Sequence, residues 1–155
     1  LNRYAGRFSA RDTFCKIPDA VMDVDKNYIT KHDKLLRLMQ MKIEEATPEY
    51  ARVTMPLLEQ HKNGMGVAHG GAIFALADVA FGAASNADRD CGVVNMMSSI
   101  EYLRPGRVGP LMAEARAVRI GGHIANYDVQ IFDGEGALIA RAIVSGYLTD
   151  VPLPG

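Results

Sequence analysis

The spacing of apolar residues changes period along this chain, and the changes predict its elements. From Thr30, read as an N-cap, Leu35, Leu36, Leu38 and Met39 fall on one side of a short helix over residues 31–40. Met41 and Ile43 then alternate with Lys42 and Glu44, and Ala51, Val53, Met55 and Leu57 alternate with Tyr50, Arg52 and Thr54. This two-residue period predicts two strands, and Thr47-Pro48-Glu49 between them is turn chemistry, so a hairpin is expected. Residues 59–71 are polar and glycine-containing and read as a loop. Residues 70–86 are apolar nearly all the way round, which predicts a buried central helix rather than a surface one.

The C-terminal half reads as β throughout. Strands are expected over 93–103, 111–120, 124–132 and 137–148, punctuated by Pro105-Gly106 and by Asp133-Gly134-Glu135-Gly136. A hairpin, one buried helix and consecutive antiparallel strands define an α+β class. A curved antiparallel sheet wrapped around one long central helix is the economical arrangement, because a helix with no polar face must be covered. Residues 1–29 show no sustained period and are read as an N-terminal extension, which leaves 30–155 as one domain.

Composition narrows the function. The chain has 155 residues, 48% hydrophobic and 23% charged, with a formal net charge of -1. Such a balance suits a globular domain and offers no broad basic field for nucleic acid. No apolar run approaches the ~18 residues of a membrane span. The N-terminus lacks the charged-then-apolar pattern of a signal peptide. Cys15 and Cys91 share no metal-type or redox-type spacing, so a reducing, cytoplasmic setting is expected. His32, His61 and His123 are scattered, so no metal site is expected. Ser85 and Ser145 lack a nucleophile-elbow context, and Gly64-x-Gly66 is not followed by a dinucleotide fingerprint.

The chemistry concentrates between Asn63 and Asp78. Asp78 is the only ionisable residue from Ala72 to Asn86, inside a helix expected to be buried. An unpaired buried carboxylate costs several kcal/mol. A structural Asp bonded to a neighbouring strand and a catalytic Asp both answer that cost. Gly70 and Gly71 begin the same helix, where backbone N–H groups lack intrahelical partners and favour negative charge. That is what a developing oxyanion needs. Gly71 and Asp78 are seven residues apart, on nearly one helix face but roughly 10 Å apart along the axis. One helix spans an attacking group and an oxyanion donor poorly. Two antiparallel copies related by a two-fold axis would bring Gly71 of one near Asp78 of the other, which predicts a dimer with paired sites.

His69-Gly70-Gly71, the aromatic Phe74, Asp78 nine residues after the His, and Asn63 six residues before it together resemble the thioesterases of the hotdog superfamily. The nearest branch is that of the phenylacetate-pathway thioesterases, related to one type of 4-hydroxybenzoyl-CoA thioesterase. The likeness is strongest over residues 63–86 and continues through Ser98-Ser99-Ile100-Glu101-Tyr102-Leu103-Arg104-Pro105-Gly106. By element order it covers about residues 35–149.

The resemblance implies a hotdog fold and residue roles. Asp78 stands at the catalytic carboxylate, as general base on water or as nucleophile. Gly71 stands where a backbone N–H polarises the thioester carbonyl, and Asn63 where an Asn helps place substrate or water. His69 belongs to the signature, with either a structural or a chemical role. Some relatives place a water-orienting Ser early in the strand after the helix. Here that position is Asn95, with Ser98 and Ser99 close by. Gly70, Phe74, Asn95, Ser98 and Arg104 are the expected substrate contacts, Arg104 through the phosphates of coenzyme A.

The expected function is hydrolysis of a small aromatic or short/medium-chain acyl-CoA, without a cofactor, by a homo-oligomer built on a dimer and extending to a tetramer. The alternative is a hotdog module that binds acyl-CoA without turning it over, though such a module has no need of Asp78. A dehydratase on the same fold lacks its usual motif here.

Overall fold

The structure, a computed structural model, describes Asp23 and residues 27–153. Most of the expected extension therefore lies outside the described residues. Two five-residue helices come first, α1 (Tyr28–His32) and α2 (Lys34–Leu38). The sequence predicted one helix from Thr30. The chain instead breaks at Asp33, whose extended backbone ends α1 while its carboxylate caps α2 by accepting from Leu35 N and Leu36 N. Asn27, not Thr30, caps α1, and its Nδ2 donates to Ala83 O at 3.0 Å, docking α1 on the central helix.

The hairpin β1 (Lys42–Thr47) and β2 (Tyr50–Met55) follows, then a 3-10 turn at Glu59–His61 and the helix α3 (Gly70–Ser85). Four strands complete the chain: β3 (Cys91–Tyr102), β4 (Leu111–Ile120), β5 (Ile124–Phe132) and β6 (Leu138–Pro152). All six strands form one antiparallel sheet in the order β1-β2-β4-β5-β6-β3. β3, the strand that leaves α3, thus lies at the far edge rather than beside the hairpin that precedes the helix.

Strand periodicity decides which side chains meet α3. Ala51, Val53, Ala113, Ala115, Ala125, Tyr127, Val129, Ala140, Ala142 and Val144 are buried. The many alanines let the sheet approach Ile73, Leu76, Val79 and Phe81, which are also buried. At Gly146 the approach is closest, since a Cβ there would lie 2.5 Å from Phe81 Cζ. Tyr127 packs edge-on against Phe81, with ring centroids 5.5 Å apart, and its hydroxyl donates to Pro48 O at 2.6 Å. Burial pushes its phenol up to about 12, so it remains a neutral donor. On the opposite face Tyr50, Arg52 and Arg116 gather on Glu114. Partial burial alone would raise this carboxyl, but the Tyr50 hydroxyl and the two guanidinium groups hold it below the usual range.

A buried amide joins the helix to the edge strand. Asn86, the C-cap of α3, donates from Nδ2 to Val93 O at 3.1 Å and to Gly82 O at 3.0 Å, and accepts from Val93 N at 2.8 Å. One side chain therefore ties the end of α3 to the start of β3. Asn86→Ala should lower stability by about 2–3 kcal/mol, because Val93 would keep two buried polar groups without partners. Urea unfolding checks it, and an unchanged midpoint would mean that water replaces the amide.

Candidate active site

The start of α3 is held from three sides. Asn63 accepts from Met65 N at 2.9 Å and from Val67 N at 3.4 Å through Oδ1, folding the loop back so that Lys62 bridges to Ala68. His69 N donates to His61 O and Ala68 N donates to Gly106 O, at 2.8 and 2.9 Å. From the end of β3, the Tyr102 hydroxyl donates to Gly70 O at 2.9 Å. The Tyr102 ring lies so near that a Cβ on Gly70 would sit 3.3 Å from it and push the exposed ring back by a few tenths of an ångström.

His69 is the N-cap of α3. Its Nδ1 accepts from Gly71 N at 2.9 Å. The N–H expected to polarise a carbonyl therefore already has a partner, and an incoming oxygen has to take the place of the imidazole. Gly71 is exposed, so the exchange is open to solvent and ligand.

Asp78 is half-buried, not sealed in the core as its apolar neighbours implied. It shares a helix face with Gly71, Phe74 and Ala75, and none of these four is buried. The cause is the placement of α3, which packs mainly across β2 and β4 and leaves this face beside the sheet edge. There Asn95 Nδ2 donates to Asp78 Oδ1 at 2.6 Å. Ser98 Oγ lies 2.7 Å from Asn95 Nδ2 and 3.0 Å from Asn95 Oδ1, so it accepts from the amide and donates to its oxygen.

An irregularity in β3 makes this cluster. Residues three apart on a strand point to opposite faces. Between Asn95 and Met97, however, the register against β6 slips by one residue, with Asn95 opposite Gly146 and Met97 opposite Ser145. The extra residue, Met96, is a β-bulge, and it turns Asn95 and Ser98 toward the same helix-facing side.

Among the expected site residues, the structure brings Asp78, Asn95 and Ser98 into direct contact, and His69 and Gly71 into another. Phe74 lies on the face between the two groups. Asn63 organises the loop, while Arg104 is exposed in the turn after β3, away from any described side-chain partner. The sequence placed Tyr102 only within the family-like stretch and did not reveal its bond to the helix start. The signal was the tyrosine ending a strand just before Pro105-Gly106. Among the described residues no group of three His, Cys, Asp or Glu side chains is gathered to hold a metal, and no helix is long and apolar enough to cross a membrane.

A single antiparallel sheet wrapped on one long helix, with a Gly-Gly helix start and an Asp two turns along, defines a hotdog thioesterase. The chain belongs to the Thioesterase superfamily, whose profile matches residues 65–140, and its class of reaction is thioester hydrolysis. It is 34% identical over 151 residues to an Archaeoglobus fulgidus protein classed provisionally as an esterase, covering 96% of this chain and 97% of that one. It is 32% identical over 111 residues to the acyl-coenzyme A thioesterase PaaI of Escherichia coli, covering 71% of this chain and 79% of PaaI. The structure of E. coli PaaI superimposes with a TM-score of 0.78 at 27% identity, over 84% of this chain and 96% of that one. These likenesses accord with the hotdog fold and the phenylacetate-type branch expected from the sequence.

The capping geometry carries its own prediction. His69→Ala should cost about 1 kcal/mol of stability by removing the N-cap, and His69→Ser should restore most of it. Thermal unfolding alongside steady-state rates separates the roles. A His69→Ser protein that is stable yet slow would assign the imidazole to chemistry as well.

Proposed function

We propose that this protein hydrolyses acyl-CoA thioesters, with a small aromatic or short/medium-chain acyl group, using Asp78 as the catalytic carboxylate. The observation that carries the reading is Asp78 itself: a carboxylate in an otherwise apolar helix, with one oxygen bound by Asn95 and its helix face uncovered. The thioester oxygen takes the N–H of Gly71 in place of the His69 imidazole, where the helix dipole favours the charge that develops in the transition state. Asp78 then removes a proton from the attacking water, and the tetrahedral intermediate breaks its C–S bond to release coenzyme A as the thiolate. Or Asp78 attacks the carbonyl carbon itself, expelling that thiolate to leave an anhydride that water cleaves to the acid and free Asp78. Phe74 offers an apolar wall to the acyl group, and exposed Arg104 offers its charge to the phosphates of coenzyme A. The name of PaaI, an acyl-coenzyme A thioesterase, supports the carrier.

Steady-state hydrolysis of aromatic, short-chain and medium-chain acyl-CoA by wild type, Asp78→Ala and Asp78→Asn tests the reading. The expected outcome is turnover of one class, with kcat reduced about 10²- to 10⁴-fold in both variants while they stay folded. Tight binding of an acyl-CoA with no turnover by wild type would instead favour a binding module.

The same reading calls for a homodimer built along β3. That strand is twelve residues long, borders the sheet, and exposes Val94, Met96 and Met97 at 53%, 56% and 58%. A long, apolar, unprotected edge invites pairing with another chain, and an isologous β3–β3 contact satisfies both copies at once. It brings the uncovered face of α3 toward a partner, so Gly71 of one copy serves Asp78 of the other. Light scattering should find a dimer or a multiple of it. Met96→Lys combined with Met97→Lys should shift the protein to monomer and reduce kcat with it. A fully active wild-type monomer would overturn the shared site.

A further inference from the structure

We propose that Asn95, braced by Ser98, is a positioning residue that acts through Asp78 and leaves one carboxylate oxygen to do the chemistry. This assignment rests on Asp78 being the catalytic carboxylate. It replaces the substrate contact that the sequence suggested for both residues.

The chemistry of the three groups fixes their arrangement. A carboxylate only accepts hydrogen bonds, so the side of the Asn95 amide facing Asp78 must be Nδ2, as found at 2.6 Å. The amide oxygen in that place would meet a like partial charge. A serine hydroxyl both donates and accepts, so Ser98 Oγ satisfies the second N–H and the amide oxygen together, at 2.7 and 3.0 Å. The amide is thus held at both ends. A charge-assisted bond of this kind is about twice as strong as a neutral one. It opposes rotation of the Asp78 carboxylate, because rotating would exchange the bound oxygen for the other. With Oδ1 occupied, Oδ2 is the oxygen left for water or for the thioester carbon.

The backbone is shaped for the same purpose. Without the extra residue at Met96, Asn95 and Ser98 would lie on opposite faces of the sheet, and the brace could not form. The Asn86 clamp on Val93 anchors the strand two residues before Asn95, so the bulge hangs from a fixed point. Three devices therefore converge on one carboxylate oxygen: a C-cap, a bulge and a hydroxyl.

The test is a double-mutant cycle on the intact protein with the acyl-CoA it turns over best. Asn95→Ala should lower kcat about 10- to 100-fold, the scale of a misplaced catalytic group, with KM nearly unchanged. Asn95→Asp, similar in shape but without the donor, should lose at least as much. Ser98→Ala, which keeps the bond to Asp78 and loses only the brace, should lose less. In an Asp78→Asn background, Asn95→Ala should have almost no further effect, since a residue acting through Asp78 has nothing left to position. A rise in KM at constant kcat would return Asn95 to substrate binding and overturn the proposal, as would full additivity with Asp78→Asn. An Asp78→Asn protein that keeps the wild-type rate would instead remove the underlying reading, a result distinct from either of these.

Discussion

The structure depends on covering a helix that has no polar side along most of its length. α3 carries a single ionisable residue in sixteen, and residues 79–85, its last seven, are all buried. Burying a side chain such as Ile73, Leu76, Val79 or Phe81 is worth about 1.5–3 kcal/mol, so exposing this helix would forfeit much of a small domain's stability. One sheet can enclose it only by curving, and only if the sheet's inner residues are small enough to let the helix in. Alanines at positions 51, 113, 115, 125, 140 and 142, with Gly146 beneath the Phe81 ring, meet that condition. The sheet wraps closely because its inner surface is nearly smooth.

Covering the helix has a consequence at the edge. The strand order places the hairpin, β4 and β5 over α3 and leaves β3 as the last strand. The face bearing Gly71, Phe74 and Asp78 emerges there, beside an edge strand that carries a bulge. An Asp in the middle of the covered face would be an unpaired charge in the core, costing several kcal/mol. At the border it has an amide partner on one oxygen and access on the other. The carboxylate sits where the fold's principal requirement is relaxed.

Much of this was legible in the sequence because the signals were local. Two-residue alternation in Tyr50–Met55 and Ile124–Phe132 marked strands, and the all-round apolarity of residues 70–86 marked a helix needing cover. The family's motif from Asn63 to Asp78 pointed to the residues that now stand at the helix start and on its uncovered face. Three things were not legible, each for a physical reason. The break at Asp33 follows from a capping choice, since Thr30, Asn27 and Asp33 are all capable caps and packing against α3 decides among them. The bulge at Met96 depends on register with β6, a strand some fifty residues distant in the chain, and single-strand alternation cannot reveal it. The partial exposure of Asp78 depends on which strands lie over which end of α3, which composition alone does not encode.

The two ends of α3 differ in how their polar contacts are made. At the C-terminal end Asn86 satisfies backbone groups in a buried place, and every polar atom there that meets β3 does so to fix position. At the N-terminal end one polar contact, that of His69 with Gly71, lies open to exchange. His69 lies on a solvent-exposed N–H that a ligand oxygen is able to take over at little net cost, because one hydrogen bond replaces another. A helix anchored firmly at one end and capped replaceably at the other keeps its dipole aimed while leaving the end of that dipole available. The same logic runs along β3, which is clamped at Val93, bent at Met96 and tied back to Gly70 through Tyr102. Helix and strand are pinned to each other at both ends, so the Asp78–Asn95 contact between them is set by two fixed points rather than by its own strength.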